Sequence, residues 1–121
     1  MSPGDVCIAE DASIVIPETP DEKRKLHPKG RTCVILSSAI VCNKVTHPIL
    51  SVAPTTHRID RKDITDFELL PTPQNGLKVE SLVMLGHVQP IRKVDVFKKI
   101  GELSSGEWDL LQAHLLQILG I

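Results

Sequence analysis

Short runs of apolar residues, separated by segments rich in proline, glycine and charge, form the dominant pattern along the chain. Such runs, with β-branched residues or alternating apolar and polar positions, are typical of strands. The pattern predicts strands over residues 5–9, 31–36, 49–55, 65–70, 80–89 and 96–103. Pro90 is expected to limit the fifth strand, and residues 14–16 could extend the first strand or pair with it.

The C-terminal segment predicts a helix. Ser104 and Glu107 have the spacing of a capping box, in which each side chain satisfies a backbone N–H. Helical spacing then places apolar residues on one face, and Gly120 ends the helix; the face carries Trp108, Leu111, Leu115, Ile118 and Leu119. Trp108 is expected to anchor the core. Several short strands followed by one packed helix predict a mainly β (α+β) fold, a small and strongly curved antiparallel barrel.

Residues 17–30 are predicted to form a long basic surface loop, because Pro17, Pro20 and Pro28 bracket a run of charged residues. Loops of this length in compact domains are usually functional or disordered. The chain has 121 residues and shows no internal repeat or linker, so we expect a single domain over residues 1–121.

The composition indicates an ordinary globular protein, with 41% hydrophobic and 24% charged residues. No apolar run approaches the roughly 18 residues that span a membrane, and the N-terminus lacks the pattern of a secretory signal. Cys7, Cys33 and Cys42 lie among apolar neighbours, without a Cys-x-x-Cys pair. We therefore expect reduced thiols in a cytoplasmic protein rather than a disulfide or a metal site.

Positive charge is unevenly distributed, although the formal net charge is only −1. Twelve of the 14 Lys and Arg residues fall within residues 21–31, 57–62 and 92–99. Each stretch alone is typical of a solvated loop, whereas three stretches that converge in space would indicate a nucleic-acid surface. Aromatic residues make up 2% of the chain and Tyr is absent, which excludes base stacking on an aromatic platform.

One group of side chains could act on a phosphodiester. If the strands over 31–37 and 49–55 are antiparallel neighbours, the start of the first lies beside the end of the second. Arg31 then lies near Thr55, Thr56 and His57, below the basic loop that carries His27. Arg offers a planar fork of donors to phosphate oxygens, Thr adds a fixed donor, and His can move a proton near neutral pH.

RNA would supply its own nucleophile, the 2′-OH, so this chemistry needs no metal. The five His residues are scattered without the spacing of metal ligands, and we expect no metal or cofactor. Ordinary structural roles remain open at this point. Arg31 could cap a strand and pair with Asp5 or Glu10, and Thr56 could be a turn hydroxyl. His27 and His57 individually fit exposed loop residues, and His114, on the helix, is expected to be structural.

Several short segments in a defined order resemble the MazF/PemK family of toxin endoribonucleases, and together they cover nearly the whole chain. The segments are Gly4-Asp5-Val6, residues 31–37 (Arg-Thr-Cys-Val-Ile-Leu-Ser), residues 52–56 (Val-Ala-Pro-Thr-Thr), Gly76-Leu77-Lys78, residues 81–85 (Ser-Leu-Val-Met-Leu) and residues 100–104 (Ile-Gly-Glu-Leu-Ser). The resemblance implies an SH3-like barrel with a C-terminal helix, cleavage of single-stranded RNA, a homodimer, and inhibition by a cognate antitoxin.

The resemblance also selects site residues. Arg31 matches the Arg that opens a core strand in the family, with Thr32 in place of the usual Pro, and Thr56 matches the Thr that follows a Pro at the end of the next strand. Where many members have Asp-Gln, this chain has Gly86-His87, which leaves the proton-transfer residue unassigned. The candidate catalytic residues are Arg31, Thr56, His87 and His27, and the candidate RNA-binding residues are Lys23, Arg24, Lys25, Lys29, His57 and Arg58.

Two other functions remain open beside the ribonuclease. A catalytically inactive member of the family could serve as a binding module, which Gly86 favours. A barrel of the same shape could act by binding gyrase, and relatives of that kind also end in Gly-Ile, as Gly120-Ile121 does here. The contexts of Arg31 and Thr56 match the ribonucleases better.

Overall fold

The computed structural model describes residues 1–16 and 25–121. Its strands are β1 (Asp5–Ala9), β2 (Arg31–Ile35), β3 (Ile49–Thr56), β4 (Asp66–Leu69), β5 (Ser81–Met84), β6 (Gln89–Arg92) and β7 (Val96–Glu102). Its α-helices are α1 (Ala39–Asn43) and α2 (Ser105–Leu119). No helix within the described ranges is long and apolar enough to cross a membrane.

All the strands pair antiparallel in one sheet of order β4-β5-β3-β2-β1-β7, and β6 also pairs with β3. This confirms the mainly β fold with a C-terminal helix. No hydrogen-bonded ladder joins β4 to β7 within residues 1–16 and 25–121. The closed SH3-like barrel therefore stays a prediction.

Alternation along the strands gives the sheet two apolar faces. One face packs against α2 and buries Val6, Val34, Ala53 and Val83, with Leu111 contributed by the helix. The other face buries a second cluster that includes Cys7, Cys33, Val52 and Ile91. Ile14 packs into this second cluster, as does the partly buried Cys42 of α1. The segment that follows β1 therefore covers the face opposite α2.

The long strand predicted over residues 80–89 is wrong. β5 ends at Met84, Leu85–His87 form a 3₁₀ turn, and β6 contains Pro90. The turn packs closely, since a Cβ on Gly86 would approach the Thr65 hydroxyl to 2.8 Å. Pro90 is tolerated because, among the described residues, β6 pairs with β3 alone and so lies at an edge, where a missing N–H interrupts no second ladder.

Other local expectations need correction. Residues 14–16 are not a strand; the Val15 N–H donates to Gln89 Oε1 at 2.8 Å, and Gln89 Nε2 donates to the Val15 carbonyl at 3.0 Å. The short helix α1 was not predicted. In α2 the capping box is present and Trp108 packs on the core, but Leu119 is 61% exposed because it lies at the margin of the buried face.

Candidate active site

Arg31 begins β2 and Thr56 ends β3, at the same end of two paired strands. β2 and β3 pair antiparallel, and the pair nearest this end is Cys33 opposite Pro54. The Arg31 Nη1 group donates to the Thr55 carbonyl oxygen at 3.3 Å. The predicted pairing of these two strands is confirmed, and Arg31 contacts Thr55, the residue before Thr56.

The Arg31 guanidinium is held by a buried carboxylate. Its Nε donates to Asp11 Oδ1 at 3.0 Å, and the two side chains are 16% and 1% exposed. The structural alternative left open for Arg31, an ion pair with Asp5 or Glu10, is corrected: Asp5 pairs with Lys99, and Asp11 pairs with Arg31. The register sets Ala9 opposite Arg31, and Asp11, two positions later, reaches the guanidinium from there.

The same carboxylate ties the basic loop to the site. Asp11 Oδ2 accepts a hydrogen bond from the His27 backbone N–H at 2.7 Å. A 3₁₀ turn over Asp11–Ser13 sets the position of the carboxylate. In this turn the Ser13 N–H donates to the Glu10 carbonyl, and the Ile14 N–H donates to the Asp11 carbonyl. The two segments that flank residues 17–24 are thus both fixed near Arg31.

The two threonines at the end of β3 have different roles. The Thr55 hydroxyl donates to the Thr32 carbonyl at 3.2 Å and so bridges the strands. The Thr56 oxygen accepts the Arg58 N–H at 3.2 Å, a turn contact that leaves its own O–H proton to donate elsewhere. Thr56 is only partly buried, which is required of a group that meets a substrate.

Several basic candidates lie next to this pair along the chain. Lys25, His27 and Lys29 precede Arg31, His57 and Arg58 follow Thr56, and all five are exposed. Lys23 and Arg24 lie outside the described residues. In the third basic stretch, Lys93 Nζ donates instead to the carbonyls of Val41, Cys42 and Lys44 at the end of α1.

Two other basic residues of the third stretch, Arg92 and Lys99, form ion pairs within the protein. Arg92 pairs with Asp95, and its hydrogen bonds, with that of Ser13, hold the pKa of the Asp95 carboxyl below its ordinary value. Lys99 pairs with Asp5, which raises the pKa of the lysine. These contacts fix β7 and the preceding turn to the rest of the sheet.

The structure places His87 in a different setting from the other candidates. It belongs to the Leu85–His87 turn and lines a cavity of about 320 Å³ together with Ser13, Val15, Gln89 and Pro90. Gln89 Nε2 donates to the His87 carbonyl oxygen at 3.0 Å. His114 has a structural setting, since its Nε2 lies 3.1 Å from the Ile64 carbonyl and its ring packs near Phe67.

Neither the thiols nor a metal provides an evident second chemistry. Burial, together with the Asp5 charge, raises the pKa of Cys7 to about 11, and burial raises the pKa of Cys33 to about 12, so both thiols stay protonated. The three cysteines are free. Within the described ranges no three His, Cys, Asp or Glu residues are grouped to hold a metal ion.

Comparison with known families gives one match that covers most of the chain. The profile described as PemK-like, MazF-like toxin of type II toxin–antitoxin system matches residues 10–119. A search of curated proteins finds no significant relative of the sequence.

Solved structures share the fold along nearly the full length of the chain. The toxin MazF-mt6 of Mycobacterium tuberculosis superposes with a TM-score of 0.70 at 22% identity, and 97% of each chain is covered. MazF from Deinococcus radiodurans gives 0.68 at 19% identity, covering 100% of this chain and 97% of that one. A mycobacterial endoribonuclease in complex with its cognate antitoxin gives 0.65 at 12% identity, covering 100% and 94%.

Proposed function

The chain belongs to the PemK-like, MazF-like toxin family of type II toxin–antitoxin systems, and on that premise we propose that it is a toxin endoribonuclease that cleaves single-stranded RNA. Toxins of this family are generally endoribonucleases. The observation that carries the proposal is the hydrogen bond from Arg31 Nη1 to the Thr55 carbonyl, next to Thr56 at the end of β3. A guanidinium and a hydroxyl on neighbouring strands suit the non-bridging oxygens of a phosphodiester.

The proposed reaction is attack by the RNA 2′-OH on the adjacent phosphorus. The 2′ oxygen loses its proton and bonds to phosphorus, the bond to the 5′ oxygen breaks, and that oxygen is protonated. The products are a 2′,3′-cyclic phosphate and a 5′-OH. The hydrogen bonds that Arg31 makes to described residues use Nε and Nη1. We therefore propose that Nη2 donates to the phosphoryl oxygen on which charge develops.

We assign the proton transfers to a histidine or to water. The His27 backbone is bonded to the carboxylate that holds Arg31, and its exposed side chain can approach a substrate there. His57 directly follows Thr56 and is also exposed. His87, on the far side of the segment that follows β1, is the weaker candidate because the cavity that it lines does not include Arg31 or Thr56.

The assembly that we propose also follows the family. Residues 1–121 act as one SH3-like unit in a cytoplasmic homodimer, and a cognate antitoxin occupies the surface that RNA would otherwise use. The likeness to a mycobacterial endoribonuclease in complex with its cognate antitoxin supports this partner. The exposed Lys25, Lys29 and Arg58 offer charge complementarity to an acidic antitoxin segment.

The test is cleavage of single-stranded RNA by purified protein in excess EDTA, followed by analysis of the RNA ends. We expect metal-independent cleavage that leaves 2′,3′-cyclic phosphate. The Arg31→Ala protein, purified in parallel as the control for contaminating nucleases, should cleave about 10²-fold to 10³-fold more slowly. Loss of activity in EDTA that Mg²⁺ restores would refute the mechanism.

One observation favours a second function. Gly86 and His87 stand where many relatives have Asp-Gln, and the structure keeps His87 in a turn whose cavity excludes Arg31. A catalytically inactive member would then bind its partner, an antitoxin or gyrase, through the same fold. Binding of such a partner by wild-type protein that fails to cleave a broad set of RNA sequences would select this alternative.

A further inference from the structure

The buried carboxylate of Asp11 is hydrogen-bonded to the guanidinium of Arg31. Asp11 contacts Arg31 at 3.0 Å through one oxygen and the His27 N–H at 2.7 Å through the other. We propose that Asp11 is a positioning residue, which sets the orientation of Arg31 and couples it to the segment over residues 25–30, an inference that rests on the proposed ribonuclease function.

The surroundings of Asp11 hold the carboxylate in one place. Its side chain is 1% exposed and lies within a turn whose backbone bonds run from Ser13 to Glu10 and from Ile14 to Asp11. Ile14 is buried in the core, and the Ser13 hydroxyl donates to Asp95 Oδ2 at 2.9 Å. Because these contacts hold the turn on both sides of Asp11, the carboxylate has a defined position and can orient the side chain that it binds.

The geometry of the guanidinium shows what this contact contributes. Nε donates to Asp11 and Nη1 donates to the Thr55 carbonyl. The plane of the guanidinium is therefore set by two acceptors, one in the turn after β1 and one in β3. With one acceptor removed, Arg31 keeps its charge but gains rotamers that turn Nη2 away from the substrate. A misplacement of about 1 Å can cost about 10²-fold in rate.

The link to the loop gives Asp11 a second role. The His27 N–H is bonded to the same carboxylate, and Lys25 and Lys29 lie on either side of that residue. Movement of Asp11 would therefore displace residues 25–30 and Arg31 together. An amide cannot replace it fully, because the nitrogen of Asn would face one of two hydrogen-bond donors.

The test is a double-mutant cycle with single-turnover cleavage at saturating RNA and separate RNA-binding measurements. We expect Asp11→Ala to lower the rate constant by about 10²-fold, with Asp11→Asn intermediate, and to reduce RNA affinity by a smaller factor through displacement of Lys25 and Lys29. In the Arg31→Ala background, Asp11→Ala should have no further effect beyond about threefold. An equal loss in both backgrounds, or wild-type rates in Asp11→Ala, would overturn the proposal.

Asp5→Asn is the matched control for loss of a buried carboxylate. Asp5 is 3% exposed and, like Asp11, accepts from one cation, Lys99 at 3.2 Å, and from one backbone N–H, that of Ser2 at 2.8 Å. It lies at the other end of β1 from Arg31. We expect Asp5→Asn to lower the melting temperature but to change the rate constant by less than about threefold.

A spectroscopic measurement separates this inference from the proposed function. The Arg31 Nε–H signal in an NMR spectrum of the wild-type protein should exchange slowly with solvent, and it should exchange faster in Asp11→Asn. That result with no RNA cleavage would leave the positioning intact and refute the ribonuclease. Equal exchange in both folded proteins would refute the positioning, whatever the activity.

Discussion

At the scale of single residues, the proposed role of Arg31 requires several N–H donors as well as a positive charge. Its Nε and Nη1 are bound to Asp11 and Thr55, and Nη2 is proposed to face the phosphate. We expect Arg31→Lys to lower the cleavage rate constant by about 10²-fold, because one ammonium cannot keep both internal bonds and still reach the substrate. Single-turnover kinetics measure this. Arg92→Lys, which changes an exposed arginine of β6, is the control, and activity near wild type in Arg31→Lys would contradict the assignment.

The buried thiols predict a pH dependence of stability. An unfolded thiol releases its proton near 9.0, whereas Cys7 and Cys33 keep theirs to about 11 and about 12 because burial disfavours the thiolate. Between these values the folded state binds more protons than the unfolded state, so the free energy of unfolding falls as pH rises. The expected slope is about 1.4 kcal/mol per pH unit for each thiol.

Denaturant titrations between pH 8 and pH 10.5 test this, with a Cys7→Ala/Cys33→Ala protein as the control for all other titrating groups. The control should lose stability less steeply with pH. Identical pH dependence in the two proteins would show that these thiols do not carry the effect.

At the scale of elements, the Gly-Leu-Lys segment that resembles the family has a structural role at its first residue. Gly76 has φ +71°, and a Cβ there would overlap the Ile100 carbonyl of β7. Asn75 beside it is fully buried and bonds to Leu70 and to Glu107 of the capping box. This turn therefore joins β4, β7 and the start of α2.

We expect Gly76→Ala to lower the free energy of unfolding by about 3 kcal/mol, from backbone strain and displacement of β7. Gly106→Ala is the matched control, since Gly106 lies in α2 with nothing near its Cβ position, and it should be neutral or gain up to about 1 kcal/mol. Denaturant unfolding measures both, and equal stability of the two variants would contradict the packing described.

The elements that the sequence predicted well are those fixed by local pattern. β1, β2, β3 and α2 follow from apolar runs and a capping box, and the neighbourhood of Arg31 and Thr56 follows from pairing two of them. The break at Leu85–His87 was missed because the apolar residues continue through it, and tertiary contact between Gly86 and Thr65 decides the turn. Asp11 was missed because its contact depends on where the chain crosses the sheet after β1.

At the scale of the whole molecule, the basic residues differ in their surroundings. Lys93, Lys99 and Arg92 bind carbonyl or buried carboxylate groups of the protein, whereas Lys25, Lys29 and Arg58 are exposed beside the candidate site. A chain with net charge −1 attracts RNA only where its basic residues are concentrated. With 2% aromatic residues, phosphate contacts rather than stacking should dominate RNA binding.

The affinity for single-stranded RNA should therefore fall steeply with salt, and the loop lysines should account for part of the slope. Each phosphate contact contributes about 0.7 to the log–log slope for single strands, so Lys25→Ser/Lys29→Ser should flatten it by about 1.4. The matched control is Lys44→Ser/Lys78→Ser, which removes the same charge from two exposed lysines outside the three basic stretches. Equal flattening in both proteins would mean that RNA responds to net charge alone, and an unchanged slope in the first would mean that the loop does not contact RNA. Flattening confined to the loop variant would place the RNA backbone beside Arg31.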